Sequence, residues 1–89
     1  MNSKEDLNKA RDFIKRHFIH SKVKQCRLYS RQLKYLLLYS SDVISISTAA
    51  LERIMQEQNY MRNPINGFYY MTLSLPLRKF AKESLFMID

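Results

Sequence analysis

Residues 41–75, SDVISISTAALERIMQEQNYMRNPINGFYYMTLSL, decide how this chain is read. Ser41-Asp42 is a turn signal, and Val43-Ile44-Ser45-Ile46 alternates apolar and polar from Ile44 onward, the period of a half-buried strand. Ser47 or Thr48 can cap a helix, because a side-chain oxygen there accepts one of the N–H groups that a first helical turn leaves without a partner. Leu51, Ile54, Met55 and Gln58 follow at helical spacing, with Glu52, Arg53, Gln56 and Glu57 on other faces, so a helix is predicted over residues 47–60. Asn63-Pro64-Ile65-Asn66-Gly67 breaks that pattern, and Asn-Gly tolerates the positive backbone angles of a hairpin turn. Phe68-Tyr69-Tyr70-Met71-Thr72-Leu73 is aromatic and β-prone, which predicts a strand that ends before Pro76, a residue with no ladder donor.

Upstream, Leu7, Ala10, Phe13, Ile14, His17 and Phe18 recur at three and four, one face of an amphipathic helix running to about Ile19. Ser3 and Asp6 stand where a capping box would, with Asp in place of the usual Glu. His17 reads as a partly buried helix residue, since no second ligand or carboxylate stands beside it at metal-binding spacing. Residues 20–27 carry Lys22, Lys24 and Arg27 around Val23 and Cys26, either as a loop or as a short edge strand guarded by lysine. Cys26 reads as a small packing residue, because no base partner is evident nearby. Ser30 is placed to cap a second helix of about ten residues, carrying Leu33, Leu36, Leu37 and Tyr39. With Tyr35 and Leu38 pointing elsewhere, this helix is apolar nearly all round and is expected at the centre. A buried strand competes for the same residues, but leucine and lysine dominate and no β-branched residue interrupts them, which favours helix. Downstream, Leu77, Phe80, Ala81 and Leu85 predict a short last helix with Arg78, Lys79 and Lys82 exposed. The apolar tail Phe86-Met87-Ile88 either docks on the domain or marks an association surface.

The totals bound the function. Eighty-nine residues leave room for one domain, 1–89, with a modest core. A single Gly and two Pro argue against a disordered chain. One Cys excludes an internal disulfide, and two His make a structural zinc site unexpected, so no metal or other cofactor is foreseen. Charged residues interrupt the N-terminus from Lys4 to Asp12, and no apolar run is long enough to cross a bilayer. A soluble, cytoplasmic protein without a membrane partner is therefore expected. No paired carboxylates, Gly-rich phosphate loop or nucleophile–base set points to an enzyme, and no catalytic residue is nominated. The net charge of +7 is unevenly placed: residues 1–39 hold ten Lys/Arg against three Asp/Glu, and residues 40–89 hold five of each. Such a basic half attracts phosphate backbones or an acidic protein surface. Lys15, Arg16, Lys22, Lys24, Arg27 and Arg31 are the candidates for phosphate contact.

The order of helix, basic connector, helix, short strand, helix and hairpin resembles winged helix-turn-helix domains over roughly residues 5–85. The spacing of Ile46-Ser47, Leu51, Ile54, Tyr60, Gly67 and Tyr70 is also similar to small DNA-binding or accessory domains of phages and mobile elements. The resemblance implies an α+β fold: a three-helix core, a small β-hairpin wing and a short C-terminal helix. It implies that the helix over residues 47–60 lies in a major groove, with Thr48, Ala49, Glu52, Arg53 and Gln56 toward base edges, Arg53 and Gln56 suiting guanine and adenine. It also implies that Arg62 and Asn66, flanking the wing turn, approach the backbone or minor groove. The chain departs from the pattern in two places: Glu52 and Glu57 oppose phosphate on the reading helix, and the turn over residues 63–67 carries no charge.

Two functions follow. The first is a nucleic-acid-binding protein, its partner duplex or single-stranded DNA. The second is a small subunit that docks on a larger replication or transcription protein and modulates it. The second is motivated by the strand Phe68, Tyr69, Tyr70 and Met71, whose two faces cannot both be buried unless something covers the second, and by Phe86 in the tail. Homodimerisation through the last helix is compatible with either.

Overall fold

The first amphipathic pattern forms α1 (Lys4–His17), which buries Ala10, Phe13 and Ile14. Glu5 and Asp6 lie in its first turn and Lys15, Arg16 and His17 in its last, each sign where the helix dipole favours it. The structure, a computed structural model, describes residues 4–40 and 44–85. The Ser3 cap, the Ser41-Asp42 turn with Val43, and the Phe86-Met87-Ile88 tail fall outside those residues.

α1 stops at His17 rather than near Ile19, because the next three residues belong to a sheet. β1 (Phe18–His20) pairs antiparallel with β2 (Met71–Leu73), setting Phe18 opposite Leu73 and His20 opposite Met71. The Ser74 N–H closes the end of the ladder on the His17 carbonyl at 2.7 Å. Residues 21–29 then cross without regular structure, apart from Cys26, whose N–H reaches the Tyr69 carbonyl at 2.9 Å.

The second helix is shorter than its leucines suggest. α2 (Ser30–Tyr35) tightens into a 3₁₀ turn, Leu36–Tyr39. Ser30 is not the cap: it lies inside the helix, buried, and its hydroxyl donates to Glu52. The Tyr29 backbone precedes the first turn instead, its carbonyl accepting from Gln32 and Leu33 and its N–H donating to the Gln32 side chain at 2.8 Å. Leu33, Leu36 and Leu37 are buried, whereas Tyr35, Leu38 and Tyr39 are 43%, 55% and 39% exposed, so one side of this helix faces outward.

Ile44 and Ile46 are buried and Ser45 is exposed, the expected alternation, but residues 44–47 find no ladder partner among the described residues and form no strand. Burial alone sets a two-residue period in extended backbone; a strand also needs a neighbour. Ser47 then caps α3 (Thr48–Glu57), its hydroxyl accepting the Ala50 N–H at 3.1 Å. Leu51, Ile54 and Met55 pack inward. The helix ends at Asn59, in the left-handed region at φ 65°, where the Tyr60 N–H turns back to the Met55 carbonyl at 3.0 Å. Asparagine is among the few residues that accept this conformation.

A hairpin bend does follow, in a longer form than a two-residue Asn-Gly turn. The Asn63 N–H bonds the Phe68 carbonyl and the Gly67 N–H bonds the Asn63 carbonyl, each at 2.8 Å. Gly67 takes φ 77°, a conformation that suits glycine. Arg62 and Tyr69 form the bridge that closes this bend. The expected long strand thus contracts to β2, and its ladder runs to β1 rather than to the segment before the bend. α4 (Leu75–Leu85) starts with Pro76 in its first turn, where a missing N–H costs nothing, and buries Leu77 and Ala81. The whole is α+β. One hydrophobic cluster takes Ile14 from α1, Leu33 from α2, Leu51 from α3, Leu77 from α4, and Phe18 and Met71 from the sheet.

Candidate nucleic-acid interface

On α3, Ala49, Arg53 and Gln56 are exposed, and their spacing places them on one outward face. Glu52 and Glu57 flank that face, and each is paired with an arginine from another segment. Glu52 Oε2 accepts from the Ser30 hydroxyl at 2.7 Å and meets Arg62 Nη1 at 3.0 Å. Arg62 in turn donates from Nε to the Gly67 carbonyl at 3.0 Å and lies over the Tyr69 ring at 5.3 Å. This chain ties α2, α3 and the bend together. Glu57 Oε2 meets Arg11 Nε at 3.4 Å, and the Gln58 amide donates to the Arg11 carbonyl at 3.3 Å, which ties α3 to α1. Both negative charges of α3 are therefore compensated within the fold.

A second surface lies across the sheet. Lys24 and Arg27 from the connector and Arg78 from α4 line an open groove of about 930 Å³ together with Phe68 and Thr72. No carboxylate stands among the described residues that line it, and no residue of α3 does. Its rim is fixed by hydrogen bonds: Asn66 Nδ2 donates to Gln25 Oε1 at 2.9 Å, and Asn66 Oδ1 accepts the Phe68 N–H at 2.9 Å. The Ser21 hydroxyl accepts the Lys24 N–H at 3.0 Å, which shapes the connector.

The nominated residues thus fall in several places. Lys22, Lys24, Arg27 and Arg31 are exposed, but only Lys24 and Arg27 reach the groove. Lys15 and Arg16 are exposed at the end of α1, and Lys15 lines a separate hollow with His20, Glu57 and Tyr60. Thr48 is half-buried at the start of α3. Arg62 and Asn66 are exposed yet committed, the first to Glu52 and Gly67, the second to Gln25 and Phe68. Of the aromatic strand, Tyr69 and Met71 are buried, whereas Phe68 and Tyr70 are half-buried. Tyr69 and Met71 therefore contribute to the core and offer no surface to a partner; Phe86 lies outside the described residues. Arg78 was not foreseen as a site residue. Helical spacing marks it as outward, but only the chain path shows that it faces the connector.

The titratable groups fit packing roles. Burial pushes the Cys26 thiol up to about 11, so it stays protonated and unreactive at neutral pH. Burial also pushes the Tyr60 phenol up to about 12, and that hydroxyl sits between the carbonyls of Ile14, at 3.2 Å, and Phe18. His17 is held below its ordinary value by burial and then by Arg16; it packs on Phe13 and Tyr39 and hydrogen-bonds Ser74 at 2.7 Å. Among the described residues there is no cluster of three or more His, Cys, Asp or Glu that could hold a metal ion, and no helix is long and apolar enough to cross a membrane. No family model, curated protein or solved structure matches the chain.

Proposed function

We propose that this protein binds nucleic acid as a winged helix-turn-helix domain, with α3 as the reading helix and residues 63–67 as the wing. The element order supports it: a strand after the first helix pairs with the strand that follows the bend. The observation that carries the reading is the pairing of Glu52 with Arg62 and of Glu57 with Arg11, which leaves Arg53 and Gln56 as the polar side chains on α3's outward face. Arg53 suits the O6 and N7 acceptors of guanine, and Gln56 the N6 and N7 pair of adenine. Phosphate affinity comes from Lys15, Arg16, Lys22, Lys24, Arg27 and Arg31. The sequence resemblance extends the role to a small regulator or replication accessory of a phage or mobile element.

A mobility-shift titration on duplex DNA tests this. If six cations neutralise phosphates, affinity falls about a thousandfold between roughly 50 and 200 mM salt. Arg53→Ala with Gln56→Ala lowers affinity for a preferred sequence while leaving that salt slope nearly unchanged. Absence of duplex binding at low salt defeats the proposal. The second reading, a subunit docked on a larger replication or transcription protein, has lost Tyr69 and Met71 as its contact surface. What supports it instead is the outward side of α2 and its 3₁₀ turn, where exposed Tyr35, Leu38 and Tyr39 lie beside Phe80. A single stoichiometric partner, lost on replacing Leu38 and Tyr39, would favour it.

A further inference from the structure

The groove across the sheet differs in kind from the face of α3. Three cations from two segments line it, and so does an aromatic residue: Phe68 is half-buried there, with the Tyr29 ring packed against it at 5.1 Å. A duplex has little use for such a ring, because each of its bases is already stacked on both sides. A single strand exposes base faces, and an aromatic side chain inside a basic groove is how proteins hold one. The walls are set before any ligand arrives. Asn66 bridges the bend to the connector through Gln25, and both backbone polar groups of Phe68 are fixed, its N–H by Asn66 and its carbonyl by the Asn63 N–H.

We propose that this groove is a single-strand site: Lys24, Arg27 and Arg78 take consecutive phosphodiesters, and a base between them stacks on Phe68. The site rests on the nucleic-acid reading above and shares Lys24 and Arg27 with its phosphate contacts, but Phe68 and Arg78 are its own and no residue of α3 lines it. It gives the protein two modes of contact, a duplex along α3 and an unpaired strand across the sheet. That combination suits a junction where duplex opens into single strand. Stacking is indifferent to base identity, so the groove holds a strand without reading it.

Fluorescence anisotropy with three labelled probes tests this: a short thymidine oligomer, the same oligomer with abasic sites, and a hairpin duplex. With three phosphates neutralised on a single strand, the salt slope is about −2, so thymidine-oligomer affinity falls about twentyfold between roughly 50 and 200 mM salt. Arg78 is exposed, and Arg78→Gln should reduce that fall to about sevenfold without altering thermal stability. Phe68→Leu should weaken the thymidine oligomer by about fivefold or more and leave the abasic oligomer unchanged. Neither variant should alter duplex binding, whereas Arg53→Ala should weaken the duplex alone. No binding of the thymidine oligomer at low salt, equal affinity for the abasic probe, or an unchanged slope in Arg78→Gln overturns the single-strand site. Loss of the duplex arm in the wild type instead overturns the reading of α3.

Discussion

Glu52 joins three segments, and its replacement separates two effects of opposite sign. In Glu52→Ala the Ser30 hydroxyl, at 9% exposure, exchanges a bond to a carboxylate for its neighbour Tyr69 alone, and losing a hydrogen bond to a charged group costs about 1.5 kcal/mol. The ion pair with Arg62 contributes less. Its side chains are 32% and 47% exposed, so solvent screening holds it to about 0.5 kcal/mol. The sum, about 2 kcal/mol, lowers Tm by roughly 10 °C in a domain of this size. Glu52→Gln keeps an oxygen for Ser30 and loses only the charge, so it should cost about 0.5 kcal/mol. Thermal melts followed by circular dichroism resolve these outcomes. The deficit of the Gln variant fades in high salt, where the ion pair is screened, and that of the Ala variant persists. Both variants remove a negative charge that flanks α3's outward face. At roughly 8 Å from a phosphate in water that charge is worth about 0.5 kcal/mol, so duplex affinity rises about two- to threefold in each. A Gln variant as unstable as the Ala variant would show that the Ser30 bond is not what Glu52 supplies. Weaker duplex binding by either variant would show that this face of α3 does not meet phosphate.

Other outcomes follow from the same geometry. Tyr60→Phe removes a buried hydroxyl bonded to the Ile14 and Phe18 carbonyls and should cost about 1–2 kcal/mol in urea unfolding. Gly67→Ala meets no severe clash, since the nearest atom is Arg62 Nη2 at 3.5 Å, but φ 77° remains strained for alanine, so a loss of about 1 kcal/mol is expected. Because the fold holds His17 below its ordinary 6.5, protonation favours the unfolded chain. Stability from His17 is complete above pH 6.5 and is lost as pH falls through the lower folded value; the acid-side fall in Tm should shrink in His17→Asn.

The parts of the fold legible in the sequence are those set by neighbours along the chain. The periodicity of Leu51, Ile54 and Met55, the Ser47 cap and the bend at residues 63–67 all stand in the structure because a few adjacent residues determine each. Several of the misreadings required knowledge of a distant partner. Phe18-Ile19-His20 continues a helical stripe but pairs with Met71-Thr72-Leu73, and only the folded chain brings those segments together. Ile44 and Ile46 have the strand period without a strand beside them among the described residues. Ser30 looks like a cap by composition, but its hydroxyl serves Glu52 instead.

The same limit governs the charges, and there it bears on function. A count along the chain puts the surplus in residues 1–39 and leaves two glutamates on α3 as an objection to phosphate contact. The folded chain redistributes these charges. Arg11 from the basic half meets Glu57, and Arg62 from the balanced half meets Glu52, so each glutamate presents little net charge outward. Arg78, also from the balanced half, reaches Lys24 and Arg27 in a groove without a lining carboxylate among the described residues. The electrostatic partner of each side chain depends on tertiary contact, and screening within about 10 Å makes nearest neighbours count for more than the total. Glutamates at those two positions are thus no argument against binding once their arginines are placed. The more telling feature is a cationic groove with an aromatic residue in its lining, in which a duplex can use only the charges and a single strand can use both.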